Sequence, residues 1–234
     1  MTGMLASVNS LKEAALVLSA NVDIIDLKEP VLGALGALET DSVKKIVTWM
    51  DGRCPVSATI GDLPMKPQII FNAVKAMAET GVDYIKVGFF PGGAWPETVE
   101  KLSALTQHDI ALIAVLFADT QFNEVQEGFT LIPSLKNAGF KGVMLDTRDK
   151  KNGSLTQIMA KTDIRQFVGL VKTHQLICGL AGSLRLEDIA GLMTFHPDYL
   201  GFRGALCMQH NRTAQINEAA IVQIRQAITP ARPI

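Results

Sequence analysis

Eight short, apolar, β-rich runs recur along this chain, each followed by a longer stretch with helical spacing, and this alternation constrains the fold more than any other feature. The runs are Met4–Val8, Val22–Lys28, Pro55–Gly61, Val82–Gly88, Ile110–Ala118, Gly142–Thr147, Leu176–Ala181 and Tyr199–Arg203. The stretches after them are Ser10–Ala20, Thr40–Met50, Met65–Thr80, Pro96–His108, Ile132–Ala138, Thr162–His174, Leu186–Thr194 and Ile216–Ile228. In the third stretch, Ile69, Ala73, Val74, Met77 and Ala78 fall three or four apart and give a helix one buried stripe. A helix between successive strands forces neighbouring strands to run parallel.

Eight such units within 234 residues fit a closed α/β barrel, a single (β/α)8 TIM barrel over residues 1–229, with Pro230–Ile234 as a fraying tail. A doubly wound open sheet usually has fewer strands, and no Gly-x-Gly-x-x-Gly follows the first run. Hydrophobic residues make up 48% of the chain, ample for a packed core. The 22 Lys plus Arg against 23 Asp plus Glu leave a formal charge of −1, without the basic excess of a nucleic-acid binder. The longest wholly apolar run, Ile110 to Ala118, is far short of the ~20 residues of a membrane helix. Lys12 and Glu13 interrupt the place of a secretory apolar segment, so a cytoplasmic protein without a cleaved leader is expected. Cys54, Cys178 and Cys207 are widely spaced and read as reduced thiols, and no cluster has metal-ligand spacing. Apolar helix surfaces are compatible with a homo-oligomer.

Polar residues late in barrel strands carry the most weight, because the strands' C-terminal ends build the active site. Period two turns Ile25 and Leu27 of the second run toward the helices and Asp26 and Lys28 toward the axis. In the fourth run Lys86 faces inward between Ile85 and Val87, and in the sixth Asp146 does so after Leu145, with Arg148, Lys150 and Lys151 in the loop above. These are alternate strands, so the four charges converge, either as internal ion pairs or as a catalytic set. A lysine of ordinary pKa ~10.4 is neutral in only about one molecule in a few thousand at pH 7. Burial beside a second ammonium lowers that value and makes Lys28 or Lys86 a candidate Schiff-base nucleophile. Asp26 and Asp146 would move protons or orient the amines.

The last two runs end in Gly179-Leu180-Ala181-Gly182-Ser183 and Gly201-Phe202-Arg203-Gly204-Ala205, where such barrels commonly hold a phosphate. Gly182, Ser183, Arg203, Gly204 and Ala205 are therefore the expected phosphate contacts, with Arg148, Lys150 and Arg212 near the same rim. His108, His174 and His196 fall near helix ends, and only His210 lies on the active face.

Asp26-x-Lys28-x-Pro30, Gly33-x-Leu35-Gly36-Ala37, Lys86-Val87-Gly88, Asp146-Thr147-x-x-Lys150, Gly179-Leu180-Ala181-Gly182-Ser183-Leu184 and Arg203-Gly204-Ala205-x-Cys207 occur in that order. Together they resemble the (5-formylfuran-3-yl)methyl phosphate synthase family, also called 4-(hydroxymethyl)-2-furaldehyde-phosphate synthase. The resemblance implies a TIM-barrel lyase that needs no cofactor or metal and acts in methanofuran and methylofuran synthesis. Two molecules of glyceraldehyde 3-phosphate would condense with loss of one phosphate and two waters. It implies Lys28 as the Schiff-base lysine, Lys86 and Lys150 as supporting lysines, and Asp26 and Asp146 as catalytic carboxylates. The expected partners are small triose phosphates, not nucleic acid or membrane. A class I aldolase or isomerase on another sugar phosphate is the rival enzyme, and a non-catalytic sugar-phosphate sensor is the third reading.

Overall fold

The computed structural model describes residues 1–108, 110–120 and 122–229, apart from the side chains of 122–124 and 126; the expected tail 230–234 lies outside the described residues. In chain order the elements are β1 (Gly3–Val8), α1 (Leu11–Ser19), β2 (Ile24–Leu27), α2 (Thr40–Met50), β3 (Val56–Thr59), α3 (Pro67–Ala78), β4 (Tyr84–Gly88), α4 (Trp95–Thr106) and β5 (Leu112–Phe117). They continue with α5 (Phe122–Asn137), β6 (Gly142–Asp146), α6 (Leu155–Ile158), α7 (Lys161–Thr173), β7 (Ile177–Leu180), α8 (Leu186–Met193), β8 (Tyr199–Phe202) and α9 (Glu218–Ile228). Each strand pairs in parallel with the next, and β8 closes on β1 with Gly3 opposite Tyr199 and Leu5 opposite Gly201. This is a closed (β/α)8 TIM barrel. No described helix is long and apolar enough to cross a membrane.

Strand alternation divides the apolar residues into two cores. Ile25, Leu27, Ile85, Val87, Val143 and Leu145 belong to the shell between sheet and helices, where they meet residues such as Val17, Val43, Ile70, Leu102 and Phe167. The smaller core inside the barrel contains Leu5, Ile24, Val115, Phe117, Met144 and Ala181. Each fully buried Val, Leu or Ile contributes roughly 1.5–3 kcal/mol, so the outer shell carries most of the stability. The inner core fills the lower barrel and leaves its upper end to polar groups.

Local chemistry sets the helix boundaries. Ser10 caps α1 by accepting the Glu13 N–H at 3.3 Å, and Asn217 caps α9 by accepting the Ala219 N–H at 2.9 Å. Two elements depart from the sequence reading. The helix expected at Ile132–Ala138 begins ten residues earlier as α5, because Gly128 and Pro133 obscure a stripe that packing of Val125, Phe129, Ile132 and Leu135 holds together. The single-turn α6 between β6 and α7 was not anticipated.

The β6 and β7 loops meet closely. Gly182 has φ +111°, and a Cβ there would lie 2.7 Å from Thr147 Cγ2 and 3.0 Å from the Thr147 backbone nitrogen. Only glycine accepts both the backbone angle and the contact. Gly182→Ala should therefore lower unfolding stability by about 2–3 kcal/mol in urea denaturation; a loss below about 0.5 kcal/mol would show that the two loops are not held this tightly.

Candidate active site

The upper barrel opens into a cavity of about 220 Å³. Nine of the ten residues singled out from the sequence line it: Lys28, Lys86, Asp146, Lys150, Gly182, Ser183, Arg203, Gly204 and Ala205. The tenth, Asp26, lies beneath the floor and is fully buried.

Asp26 is an anchor. Its Oδ1 accepts from Lys86 Nζ at 2.6 Å and from the Ser57 hydroxyl at 2.7 Å, and its Oδ2 accepts from the Ser7 hydroxyl at 2.8 Å. Burial alone would raise the pKa of Asp26, but Lys86, Lys28 and these hydrogen bonds outweigh it and hold the carboxyl below its ordinary value. Ser7 and Ser57 are the inward residues of β1 and β3 and were missed from the sequence, although period-two alternation in those strands points to both.

Asp146 forms the second pair. Its Oδ1 accepts from Lys150 Nζ at 2.6 Å and from the Thr147 N–H at 2.7 Å. Lys150 also donates to the Thr147 carbonyl, and to the Thr147 hydroxyl at 3.2 Å. Burial again pushes the carboxyl upward, and Lys150 and Lys28 overcome it, taking Asp146 down to about 2.

Lys28 sits between these pairs, 6% exposed, and makes no ion pair among the described residues. Burial is the largest influence on its amine, with Lys150 and Lys86 acting in the same direction. The attraction of Asp146 and Asp26 only partly opposes them, and the pKa falls to about 7. At neutral pH a large fraction of Lys28 is therefore an uncharged amine facing an open cavity, as nucleophilic attack on a carbonyl requires.

The rim divides the expected cations. Arg203 is buried and forms a bidentate pair with Glu13, Nη1 to Oε2 at 2.5 Å and Nη2 to Oε1 at 3.2 Å. It also donates to the Arg212 carbonyl at 2.8 Å and the Ser7 carbonyl at 3.2 Å. Arg203 thus frames the cavity wall and ties β8 to α1. Arg212 donates to the Gly33 carbonyl at 2.8 Å, and Asp62 accepts the Ala34 and Leu35 N–H groups at 2.8 and 2.7 Å, which fastens the β2–α2 loop. Arg148 lies over the Phe90 ring at 5.7 Å and does not line the cavity. The N–H groups of Gly182, Ser183, Leu184, Gly204 and Ala205 make no hydrogen bond among the described residues, a concentration of donors suited to an anion. Arg185, absent from the sequence reading, also lines this wall.

The family model for 4-HFC-P synthase matches residues 4–225. The chain belongs to this family. A Methylorubrum extorquens protein whose name gives it provisionally as a (5-formylfuran-3-yl)methyl phosphate synthase is 40% identical over 225 residues, covering 96% of this chain and 91% of that protein. The Methanosarcina acetivorans (5-formylfuran-3-yl)methyl phosphate synthase is 32% identical over 223 residues, covering 90% and 93%. Among solved structures, phosphoribosyl anthranilate isomerase from Thermotoga maritima aligns with a TM-score of 0.70 at 10% identity, covering 97% of this chain and 98% of that one. 3-Hexulose-6-phosphate synthase aligns with a TM-score of 0.66 at 16% identity, covering 97% and 100%. At these identities the two structures share the barrel fold. The family name makes this chain a synthase, an enzyme, as the motifs implied.

A buried amine with a lowered pKa opposes folding. The unfolded chain holds the Lys28 proton up to about pH 10.5 and the folded chain only to about 7, so stability falls as pH drops through that window and the penalty is complete below it. Lys28→Met should raise the stability by a few kcal/mol at pH 6 and by less than about 1 kcal/mol near pH 10.5, read from thermal melts at both values. An equal effect at both would contradict the lowered pKa.

Proposed function

We propose that this enzyme condenses two molecules of glyceraldehyde 3-phosphate to (5-formylfuran-3-yl)methyl phosphate, releasing one phosphate and two waters, through an imine on Lys28. The single observation carrying this reading is the burial of Lys28 at the cavity floor between two ion pairs that satisfy both nearby carboxylates, which leaves its amine without an ion-pair partner among the described residues and lowers its pKa to about 7. Family membership supports the product, and the free backbone N–H groups on the β7 and β8 loops support a phosphorylated substrate.

In the reaction, one triose phosphate is first isomerised to its ketone. Lys28 Nζ attacks the aldehyde carbon of the other triose phosphate and water leaves, giving the imine. Loss of the α-proton forms an enamine that expels its phosphate, and the terminal carbon of the resulting enol attacks the ketone carbon of the first triose phosphate, giving the branched six-carbon skeleton of the product. Asp26 is enclosed beneath Lys86 and accepts three hydrogen bonds, so it positions the Lys86 amine by an ion pair instead of taking the substrate proton. Lys150, paired with Asp146 and lining the cavity, supplies and receives protons as the free hydroxyl of the first triose closes the ring on the neighbouring carbonyl and the two remaining ring hydroxyls leave as water. Water hydrolyses the imine and returns the free amine. The water lost on forming the imine is restored at this step, so the net loss is one phosphate and two waters. The product places the enzyme in furan-cofactor synthesis, and its carbon–oxygen bond cleavages make it a lyase.

Incubation with glyceraldehyde 3-phosphate alone should produce a near-ultraviolet furan absorbance, and borohydride should trap a triose adduct on Lys28. An aldolase or isomerase would give the adduct without the absorbance; a sensor would give neither. Lys28→Arg keeps a cation and should lower turnover by about 10³-fold or more, because a guanidinium does not form the imine. The pH profile of kcat/KM should fall about tenfold per pH unit below a limb near pH 7, where Lys28 takes up its proton. A flat profile between pH 5.5 and 8 would contradict attack by this amine.

A further inference from the structure

Arg185 Nη1 is the one buried side-chain nitrogen or oxygen among the described residues with no hydrogen-bond partner. Burying a guanidinium donor unpaired is costly, and here the donor belongs to a residue that lines the cavity with Lys28. Arg185 also immediately precedes α8, and a cation at a helix N-terminus opposes the helix dipole. An anion between them would satisfy both the guanidinium and the dipole.

The surroundings of Arg185 are built to hold it there. Its backbone N–H donates to Asp188 Oδ2 at 2.7 Å, and the other Asp188 oxygen accepts from the Thr156 hydroxyl of α6. Leu155, also in α6, donates its N–H to the Gly182 carbonyl at 2.8 Å, so this extra turn braces the β7 loop from behind. On the cavity side the chain passes through Gly182 at φ +111° and Ser183 at φ +49°. The second is a left-handed conformation that costs a non-glycine residue energy. The turn leaves three consecutive N–H groups, those of Gly182, Ser183 and Leu184, without acceptors among the described residues. Apart from Lys28, the other lysines and arginines of the cavity have protein partners: Lys86 with Asp26, Lys150 with Asp146, Arg203 with Glu13, and Arg212 with the Gly33 carbonyl.

We infer that Arg185 and the N–H groups of residues 182–184 form a phosphoryl subsite, in which the arginine fork makes the enzyme select a phosphorylated aldehyde over an unphosphorylated one. The subsite rests on the triose-phosphate reading for its natural occupant, while its affinity for phosphate does not depend on imine chemistry. A planar guanidinium engages two phosphate oxygens at once, and lysine supplies only a point charge there.

Inorganic phosphate titrated by ³¹P NMR line width should bind the wild type and Lys28→Arg with similar affinity. Arg185→Met should bind it at least tenfold more weakly, with Arg185→Lys between. In borohydride trapping on Lys28, Arg185→Met should raise the half-saturating concentration of glyceraldehyde 3-phosphate at least tenfold and leave that of glyceraldehyde within twofold. Phosphate affinity in Arg185→Met within twofold of wild type, or no phosphate binding to the wild type, overturns the subsite. Equal losses with both aldehydes overturn it too, since they would place the arginine's effect on Lys28 or on the fold. Failure of either aldehyde to label the wild type, together with loss of phosphate binding in Arg185→Met, would remove the imine reading and leave the subsite standing.

Discussion

Three lysines share two carboxylates at the mouth of this barrel, and that imbalance governs the site. Asp26 and Asp146 each hold one lysine at 2.6 Å, Lys86 and Lys150, and Lys28 is left between them with two cations for neighbours. A buried charge is tolerated when it is paired. For Lys28 the cost of unpaired burial is relieved by releasing its proton at a pKa lowered to about 7, which leaves an amine with a free lone pair.

The rest of the upper barrel keeps that arrangement rigid. The hydroxyls of Ser7 and Ser57 grip both oxygens of Asp26 from the neighbouring strands and leave it no freedom to turn toward Lys28. The Arg203–Glu13 pair joins β8 to α1, and Arg203 also donates to the carbonyl of Ser7, so barrel closure and the Asp26 anchor are mechanically linked. Breaking one partner of such a buried pair exposes the full desolvation cost of the other. The environment of Lys28 therefore depends on residues distributed over β1, β2, β3, β4, β6 and β8.

Much of this was legible in the sequence. All eight strands lie within the apolar runs or extend them by a residue, because parallel barrel strands are bordered by turns and alternate between two cores. The same alternation turned Asp26, Lys28, Lys86 and Asp146 inward. The balance of charge was less legible: strand alternation alone sets two lysines against two aspartates, and Lys150, which the family resemblance implied as a supporting lysine, enters as the third through the path of the β6 loop. Nothing local in the sequence marks Glu13 as a buried ion-pair partner, because Arg203 lies 190 residues away and meets it only when the barrel closes. Arg185 was not singled out from the sequence. Its unfavourable position against the helix dipole was the local signal that could have marked it.

The most direct test of the account is the protonation of Lys28 itself. With lysines labelled at ¹⁵Nζ, NMR titration of the wild type against Lys28→Arg assigns the resonance by its disappearance in the variant. The account predicts a midpoint near pH 7 for that resonance. A midpoint near 10 would mean that Lys28 stays charged in the folded barrel, and the proposed nucleophile would not exist.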